Sequence, residues 1–317
     1  MNTNNIIPIF FATDDNYAPL LHVAIQSIVS QASKLYNYNI HVLCENLNDK
    51  NKKLFDHYKS DNVNIIINDL TDSIGDKAEK MHTRDYYSRT TYFRVYIPNM
   101  FPQYKKALYL DCDICLNGDI SELYNTDLGD NFVGAITCET CDTSPIFTAY
   151  VDSFLGLKLP HYFNAGILVM NLDAMRKINL EDRFFDLMSK VTFELIQDQD
   201  YLNVLCEGRV KFLPIIWNKT ARPVITHNLD EIKLVHFNLS YRPWRYDNVV
   251  FEELWWKHAK NTPIYDKLVE MKNNFTEADA KKDQDMMENL VRLAVRDTNR
   301  PDTYKNRLAS GEIVLMK

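Results

Sequence analysis

The chain has 317 residues, 46% hydrophobic and 25% charged, with a formal net charge of −7. That length supports one large α/β core or two smaller ones, and 8 glycines with 11 prolines leave little room for long flexible linkers. An acidic chain lacks the basic stripe that grips a phosphate backbone, so nucleic acid is excluded as the main partner and an anionic ligand needs a locally built site.

In chain order, Ile6 to Ala12 is a β-rich run broken by the turn and capping cluster Thr13-Asp14-Asp15-Asn16. A helix follows that buries Leu20, Leu21, Ala24, Ile25 and Ile28 at helical spacing. Ile40 to Leu43 is a second strand, Asn48 to Ser60 a surface helix and Val63 to Ile67 a third strand. Alternating strands and helices imply a parallel sheet covered on both faces. Tyr86 to Tyr96 reads as a helix because its apolar and aromatic positions share one side, and the strand ending in Ala107-Leu108-Tyr109-Leu110 follows. Phe163 to Met170 is a strand, Leu172 to Ser189 a helix, and Asp198-Gln199-Asp200 opens the helix Tyr201 to Leu205. Val210 to Leu213 and Ile232 to Val235 are short strands, the latter ending at His236. Residues 70–85 and 215–230 read as loops able to fold over bound ligands. Beyond residue 275 a helix carries Met286, Met287, Leu290, Leu293 and Ala294 on one side. Residues 251–317 hold 12 Lys plus Arg and 12 Asp plus Glu, so this segment is no polybasic membrane anchor, although its helix suits docking to a second subunit or to lipid. The expected division is a domain at 1–262 and a helical extension at 263–317.

Met1-Asn2-Thr3-Asn4-Asn5 has no basic start, and no run approaches a membrane span, so the expected location is cytoplasmic. Six cysteines include Cys112-x-x-Cys115 and Cys138-x-x-Cys141, which superficially resemble zinc knuckles. Cys112, however, lies inside a strand end, where residues three apart face opposite ways, so buried thiols are the expectation.

The most informative cluster is Asp111-Cys112-Asp113. Side chains alternate along a strand, so both carboxylates point one way where a buried strand emerges. They make poor core residues but good ligands for a hard divalent cation, which a diphosphate requires. Capping is the bland alternative for these aspartates and for Asp14 and Asp15, as a core histidine is for His236.

Four elements occur in order: Thr13-Asp14-Asp15-Asn16-Tyr17; Asp111-Cys112-Asp113; Tyr162-Phe163-Asn164-Ala165-Gly166 with Gln197-Asp198-Gln199-Asp200; and His236-Phe237-Asn238 leading to Arg242-Pro243-Trp244. Together they resemble glycosyltransferase family 8, retaining enzymes of the bacterial lipopolysaccharide-biosynthesis type with nucleotide-sugar donors, over roughly residues 6–260. The resemblance implies a GT-A α/β/α sandwich with a mostly parallel central sheet and a C-terminal helical segment. It implies a uridine pocket from Ala12, Asp14, Asn16 and Tyr17. Arg94 matches the family arginine that approaches the donor, and Cys112 is counted with the donor-binding residues. Metal ligands would be Asp111, Asp113 and His236, with Mn²⁺ the usual ion and Mg²⁺ the substitute. Asn164, Asp198 and Gln199 would line the sugar pocket, Gln199 and Asp198 being the candidate catalytic groups, and Arg242 would neutralise the diphosphate.

Such an enzyme would take UDP-glucose or UDP-galactose, with a saccharide or glycolipid as acceptor. A peripheral contact at the inner membrane face and a homo-oligomer are compatible with it. Three departures stand out. Leu239 replaces the family glycine in the closing motif, Arg242 replaces a lysine, and Cys138 stands where several members carry an acid, a role Asp142 is near enough to take over. The competing readings are a sugar nucleotidyltransferase, whose glycine-rich basic loop is missing at 13–16, and a non-catalytic nucleotide-sugar sensor.

Overall fold

The computed structural model describes residues 5–75, 81, 83, 88–223 and 226–316. In chain order its elements begin with β1 (Ile6–Thr13), α1 (Ala18–Gln31), β2 (Asn37–Cys44), α2 (Asp49–Leu54) and β3 (Val63–Asp69). Next come β4 (Lys106–Leu110), β5 (Ile114–Leu116), β6 (Val133–Thr137), β7 (Phe163–Asn171), α3 (Leu172–Lys177), α4 (Leu180–Lys190), α5 (Gln197–Leu205) and β8 (Val210–Phe212). The last are β9 (Lys219–Thr220), β10 (Leu234–His236), α6 (Glu252–Ala259), α7 (Tyr265–Asn273), α8 (Glu277–Asn299) and α9 (Tyr304–Ala309). They form two compact units interleaved in sequence.

The first unit comprises residues 1–73, 106–127 and 214–277. Its strands order β3-β2-β1-β4, all parallel. Ile7, Ile9, Phe10 and Phe11 on β1 are fully buried, as befits a parallel strand covered on both faces. Each such large side chain contributes about 1.5–3 kcal/mol by leaving water. Helix α1 starts with Pro19 in its first turn and buries Leu20, Leu21, Val23, Ala24, Ile25 and Ile28. A second, small sheet pairs β10 antiparallel with β5 and parallel with β9. That pairing brings the chain following β4 to His236.

The second unit comprises residues 74–105, 128–213 and 278–317. Here β6 pairs antiparallel with β7 and parallel with β8, with a register shift between Ala135 and Ile136. Helix α5 packs on β7 and α4. Phe184, Phe193 and Tyr201 form a contiguous ring cluster with Tyr304 of α9. Helix α8 buries Met286, Leu290, Leu293 and Ala294, so most of its apolar stripe is spent on packing within the protein, while Met287 is half-exposed. No helix among the described residues is long and apolar enough to cross a membrane.

The parallel α/β architecture matches expectation, with local differences. The expected helix over 86–96 is a 3-10 helix, Arg89–Val95, followed by a single-turn α-helix, Ile97–Met100; β-branched Thr90 and Thr91 disfavour a regular α-helix in the first of these. The expected helix 172–189 divides into α3 and α4 at Asn179, which has φ of 52°. Asp198, Gln199 and Asp200 lie inside the first turn of α5. The Asn48–Ser60 helix tightens after Leu54 into a 3-10 turn, Phe55–Tyr58. Of the two expected loops, 71–74 is a short helix and 215–220 holds a 3-10 turn and β9, with Trp217, Asn218, Lys219 and Thr220 buried. Positions 76–80, 82, 84–85 and 224–225 of those loops, and 86–87 of the expected helix, lie outside the described residues.

Candidate active site

In the first unit, β1 and β4 are parallel neighbours, with Ile9 opposite Leu108 and Phe10 opposite Tyr109. Their carboxyl ends therefore emerge side by side, where ligands bind in open α/β sheets. The Cys112 thiol donates to the Ala12 carbonyl at 3.2 Å and is buried, which turns it away from Asp111 and Asp113. Burial, with Asp111 nearby, pushes this thiol well above its ordinary range, so any donor contact at Cys112 falls to its backbone.

Ligand atoms of Asp111, Asp113 and His236 lie within 4.8 Å of one another, the one such group of three found among the described residues. The His236 Nε2 is 3.1 Å from Asp113 Oδ1 and 3.9 Å from Asp111 Oδ2. Its Nδ1 lies 3.0 Å from the Asn218 side-chain oxygen. An amide oxygen only accepts, so Nδ1 carries a proton, and Nε2 is the ring atom that faces the two carboxylates and would serve as a metal ligand once unprotonated. Two carboxylate oxygens and one imidazole nitrogen, the latter fixed from behind by an amide, could hold a divalent cation. Burial works to raise the Asp113 carboxyl, but His236 and then Arg242 outweigh it and hold the group below its ordinary value. The zinc resemblance has no such support: all six cysteines are buried free thiols, with Cys138 and Cys141 2.8 Å apart at their sulfurs.

At the end of β1, Asp14 Oδ1 accepts from the backbone N–H groups of Asn16 and Tyr17, both at 3.0 Å. Asp14 thus closes the turn ahead of α1, whose N-cap residue is Tyr17 and carries no side-chain cap, so the expected capping of the helix is not seen here. Asp15 is tied elsewhere: its Oδ1 accepts from the Asn48 backbone and side chain and from the Asn51 side chain. Ala12 is buried, Tyr17 half-exposed and Asn16 exposed.

After β10, Phe237 N–H donates to the Asp113 carbonyl at 2.9 Å, so the chain leaving His236 stays on the second aspartate. Leu239 adopts φ of 54°. The backbone there is left-handed despite the β-carbon, a state that costs a non-glycine residue about 1–3 kcal/mol. Arg242 is buried, and its charge helps hold Asp113 ionised.

The second unit carries the other expected residues. Asp198 is buried; Oδ1 accepts from the Thr91 hydroxyl at 2.8 Å and Oδ2 pairs with Arg94 Nε at 2.9 Å. Arg94 also donates to the Thr91 and Ala165 carbonyls. Arg94 is 4% exposed, so it braces the turn around Ala165 instead of projecting into solvent. Gln199 Oε1 accepts from Ala165 N–H at 2.9 Å and from the Asn164 side chain at 3.2 Å, and Asn164 Oδ1 accepts from Gly166 N–H. The asparagine therefore both closes a turn and touches Gln199. Cys138 is buried, and Asp142 is exposed one residue beyond Cys141.

Sequence reasoning missed Asn218 and Thr91, the supports of His236 and Asp198. Neither carries a spacing signal, because each reaches its partner only through tertiary contact, Thr91 across 107 residues.

The family model for glycosyl transferase family 8 matches residues 8–248. A Haemophilus influenzae protein provisionally named a glycosyltransferase is 28% identical over 293 residues, which cover 84% of this chain and 86% of that one. The lipopolysaccharide 1,2-glucosyltransferase of Escherichia coli is 25% identical, with 81% of each chain covered. Among solved structures, the galactosyltransferase LgtC in complex with donor and acceptor sugar analogues gives a TM-score of 0.67 at 25% identity, over 81% of this chain and 96% of that one. The bifunctional glycosyltransferase WbbM gives a TM-score of 0.75 at 25% identity over 86% of this chain, which spans only 53% of the WbbM chain. The α/β fold is that of the GT-A enzymes.

Proposed function

Because the chain belongs to glycosyl transferase family 8, we propose that it is a metal-dependent, retaining hexosyltransferase moving glucose or galactose from a UDP-sugar to an acceptor hydroxyl. Membership makes it an enzyme with a nucleotide-sugar donor and a sugar acceptor, and sets aside the sugar-nucleotidyltransferase and sensor readings. The observation that carries the finer reading is the convergence of Asp111, Asp113 and His236 at the carboxyl end of β4.

In the reaction, the bond from the anomeric carbon to the diphosphate oxygen breaks and a bond to the acceptor oxygen forms. The acceptor's proton passes to the departing phosphate. Asp111, Asp113 and His236 would hold a divalent ion, Mn²⁺ or Mg²⁺, which when bound stabilises charge on the diphosphate. Ala12, Asp14, Asn16 and Tyr17 are assigned to the uridine, Arg242 to the diphosphate, and Asn164 and Gln199 to the hexose.

A covalent intermediate on Gln199 is disfavoured, since its Oε1 already accepts two hydrogen bonds and an amide is a poor nucleophile. Asp198 is neutralised by Arg94, which suits a bracing role better than attack. Same-face substitution through an oxocarbenium-like state is the mechanism we favour. A glutamine also sits in the LgtC active site, one solved form of which is a glutamine-to-glutamate active-site mutant with a TM-score of 0.65 to this chain.

The acceptor is proposed to be a lipid-linked saccharide of the lipopolysaccharide type, by analogy with the Escherichia coli relative. Such an acceptor would bring a cytoplasmic enzyme into peripheral contact with the inner membrane face. The transferase domain is proposed to span 1–262. The extension 263–317, with Val295, Leu308 and Val314 exposed, would serve docking or oligomer contact.

Measuring UDP release from UDP-glucose and UDP-galactose, with and without Mn²⁺, tests this function. Turnover should require the ion, and Asp113→Ala should abolish it while leaving the folded circular-dichroism spectrum intact. Full activity in Asp113→Ala, or turnover indifferent to chelator, would overturn the site assignment.

A further inference from the structure

We propose that Tyr162 and Asp200 are positioning residues that lock the Gln199 amide with its Nε2–H, and not its oxygen, available to the donor hexose. Resting on the proposed role of Gln199 in reading that sugar, the inference concerns only the groups behind it.

Backbone N–H groups only donate, so the atom that meets Ala165 N–H must be the Gln199 oxygen. The other end of the amide agrees, with Nε2 donating to the Tyr162 hydroxyl at 3.1 Å. A phenol has one proton, and at 2.5 Å Tyr162 gives it to Asp200 Oδ1, leaving an oxygen lone pair for the amide. Asp200 is held in turn by the Tyr150 hydroxyl at 2.8 Å and by Ile196 N–H at 3.1 Å, both on Oδ2. Tyr150, Tyr162 and Asp200 have no solvent exposure, and Gln199 has 6%. The relay therefore runs from Asp200 through Tyr162 to Gln199, and each link admits only one donor direction. Gln199 Oε1 has both lone pairs engaged. Among the described residues its second Nε2–H meets no protein acceptor, so that proton is what the amide can offer a sugar oxygen.

The direction depends on Asp200 being ionised. A protonated Asp200 can donate to the Tyr162 oxygen through Oδ1, which sends the phenol's own proton towards Gln199 Nε2 and sets two donors face to face. Burial raises the Asp200 carboxyl to about 6, against the pull of Tyr162, Tyr150 and Ile196 N–H, with Asp198 adding to the rise. Asp198 is balanced by Arg94, and the other titratable groups near Asp200 are Tyr92, Tyr201 and Cys141, all raised by burial and so neutral at that pH. The relay should therefore fail on the acid side of neutrality.

The test is steady-state donor turnover across pH for wild type, Tyr162→Phe, Tyr150→Phe and Asp200→Asn, with Gln199→Ala as reference. Wild-type kcat should fall on an acid limb near pH 6. Tyr162→Phe keeps the ring packing but removes the relay; its kcat should drop about tenfold, with donor KM changed less than about twofold and the limb gone. Asp200→Asn should lose the limb along with activity. Tyr150→Phe removes a bond to Asp200 that does not reach Gln199, so it should keep its plateau kcat within about twofold while the limb moves to higher pH. If Gln199→Ala is inactive but Tyr162→Phe keeps wild-type kcat and an unchanged limb, this inference is wrong and the proposed function stands. Failure of the wild type to release UDP from any UDP-hexose overturns both.

Discussion

Asn218 decides which nitrogen His236 offers to an ion, although it is not itself a ligand. With Nδ1–H committed to the amide oxygen, Nε2 is left facing Asp111 and Asp113. Removing such a support loosens the ring and its tautomer, so Asn218→Ala should weaken Mn²⁺ binding by about 10–100-fold. Calorimetric titration of the ion into the variant is the measurement, and unchanged affinity would sink the idea. Leu239 poses the opposite case, a side chain kept where the backbone is left-handed. Leu239→Gly should relieve about 1 kcal/mol of strain, a gain largely offset by the greater freedom of glycine in the unfolded chain. Stability should therefore stay nearly constant while donor KM falls, as the backbone comes nearer to the diphosphate; a higher KM would count against the diphosphate assignment. Strand parity made Asp111 and Asp113 legible in the sequence, and the ordered motifs added His236. Asn218 was not legible, because β9 lies beside β10 only through parallel pairing in the fold.

At the level of elements, regular strands were read well because a buried parallel strand is a continuous apolar run, as in Ile6–Thr13 and Val63–Asp69. Helix interruptions were read poorly. The stretch 172–190 has helical periodicity on both sides of Asn179, and only the φ of 52° at that residue reveals the break. Asparagine tolerates that conformation better than other non-glycine residues, because its short polar side chain can hydrogen-bond locally. Replacing Asn179 with alanine should thus cost about 1–2 kcal/mol, visible as a lower urea midpoint with unchanged slope. A variant as stable as wild type would mean that the kink adapts to a right-handed residue. Asp198 to Asp200 likewise read as the opening ahead of a helix over Tyr201 to Leu205, whereas they form its first turn. Acidic residues are favourable there, which made the boundary hard to place.

For the molecule as a whole, buried titratable groups divide by unit. His22 and His258 in the first are pushed by burial to about 3 and about 4. Their unfolded forms bind protons first, so their contribution is lost as pH falls below 6.5, by up to about 1.4 kcal/mol per group per pH unit. Asp200 in the second is raised from 3.8 to about 6, so its burial penalty is lifted over the same descent. Acidification from about pH 7 to about pH 4.5 should therefore weaken residues 1–73 and spare or strengthen residues 128–213. Hydrogen exchange corrected for intrinsic rates reports this, and a parallel loss of protection in both would refute it.

The interleaving of the two units also bears on how the chain is made. Asp113 and His236 are 123 residues apart, and the first unit draws its last segment from 214–277. During vectorial synthesis on a ribosome, the first four parallel strands can associate early, but the cation-binding corner cannot close until the nascent chain has passed His236. A ribosome stalled before that point would expose β5 without its antiparallel partner, an unpaired edge that invites association with other chains.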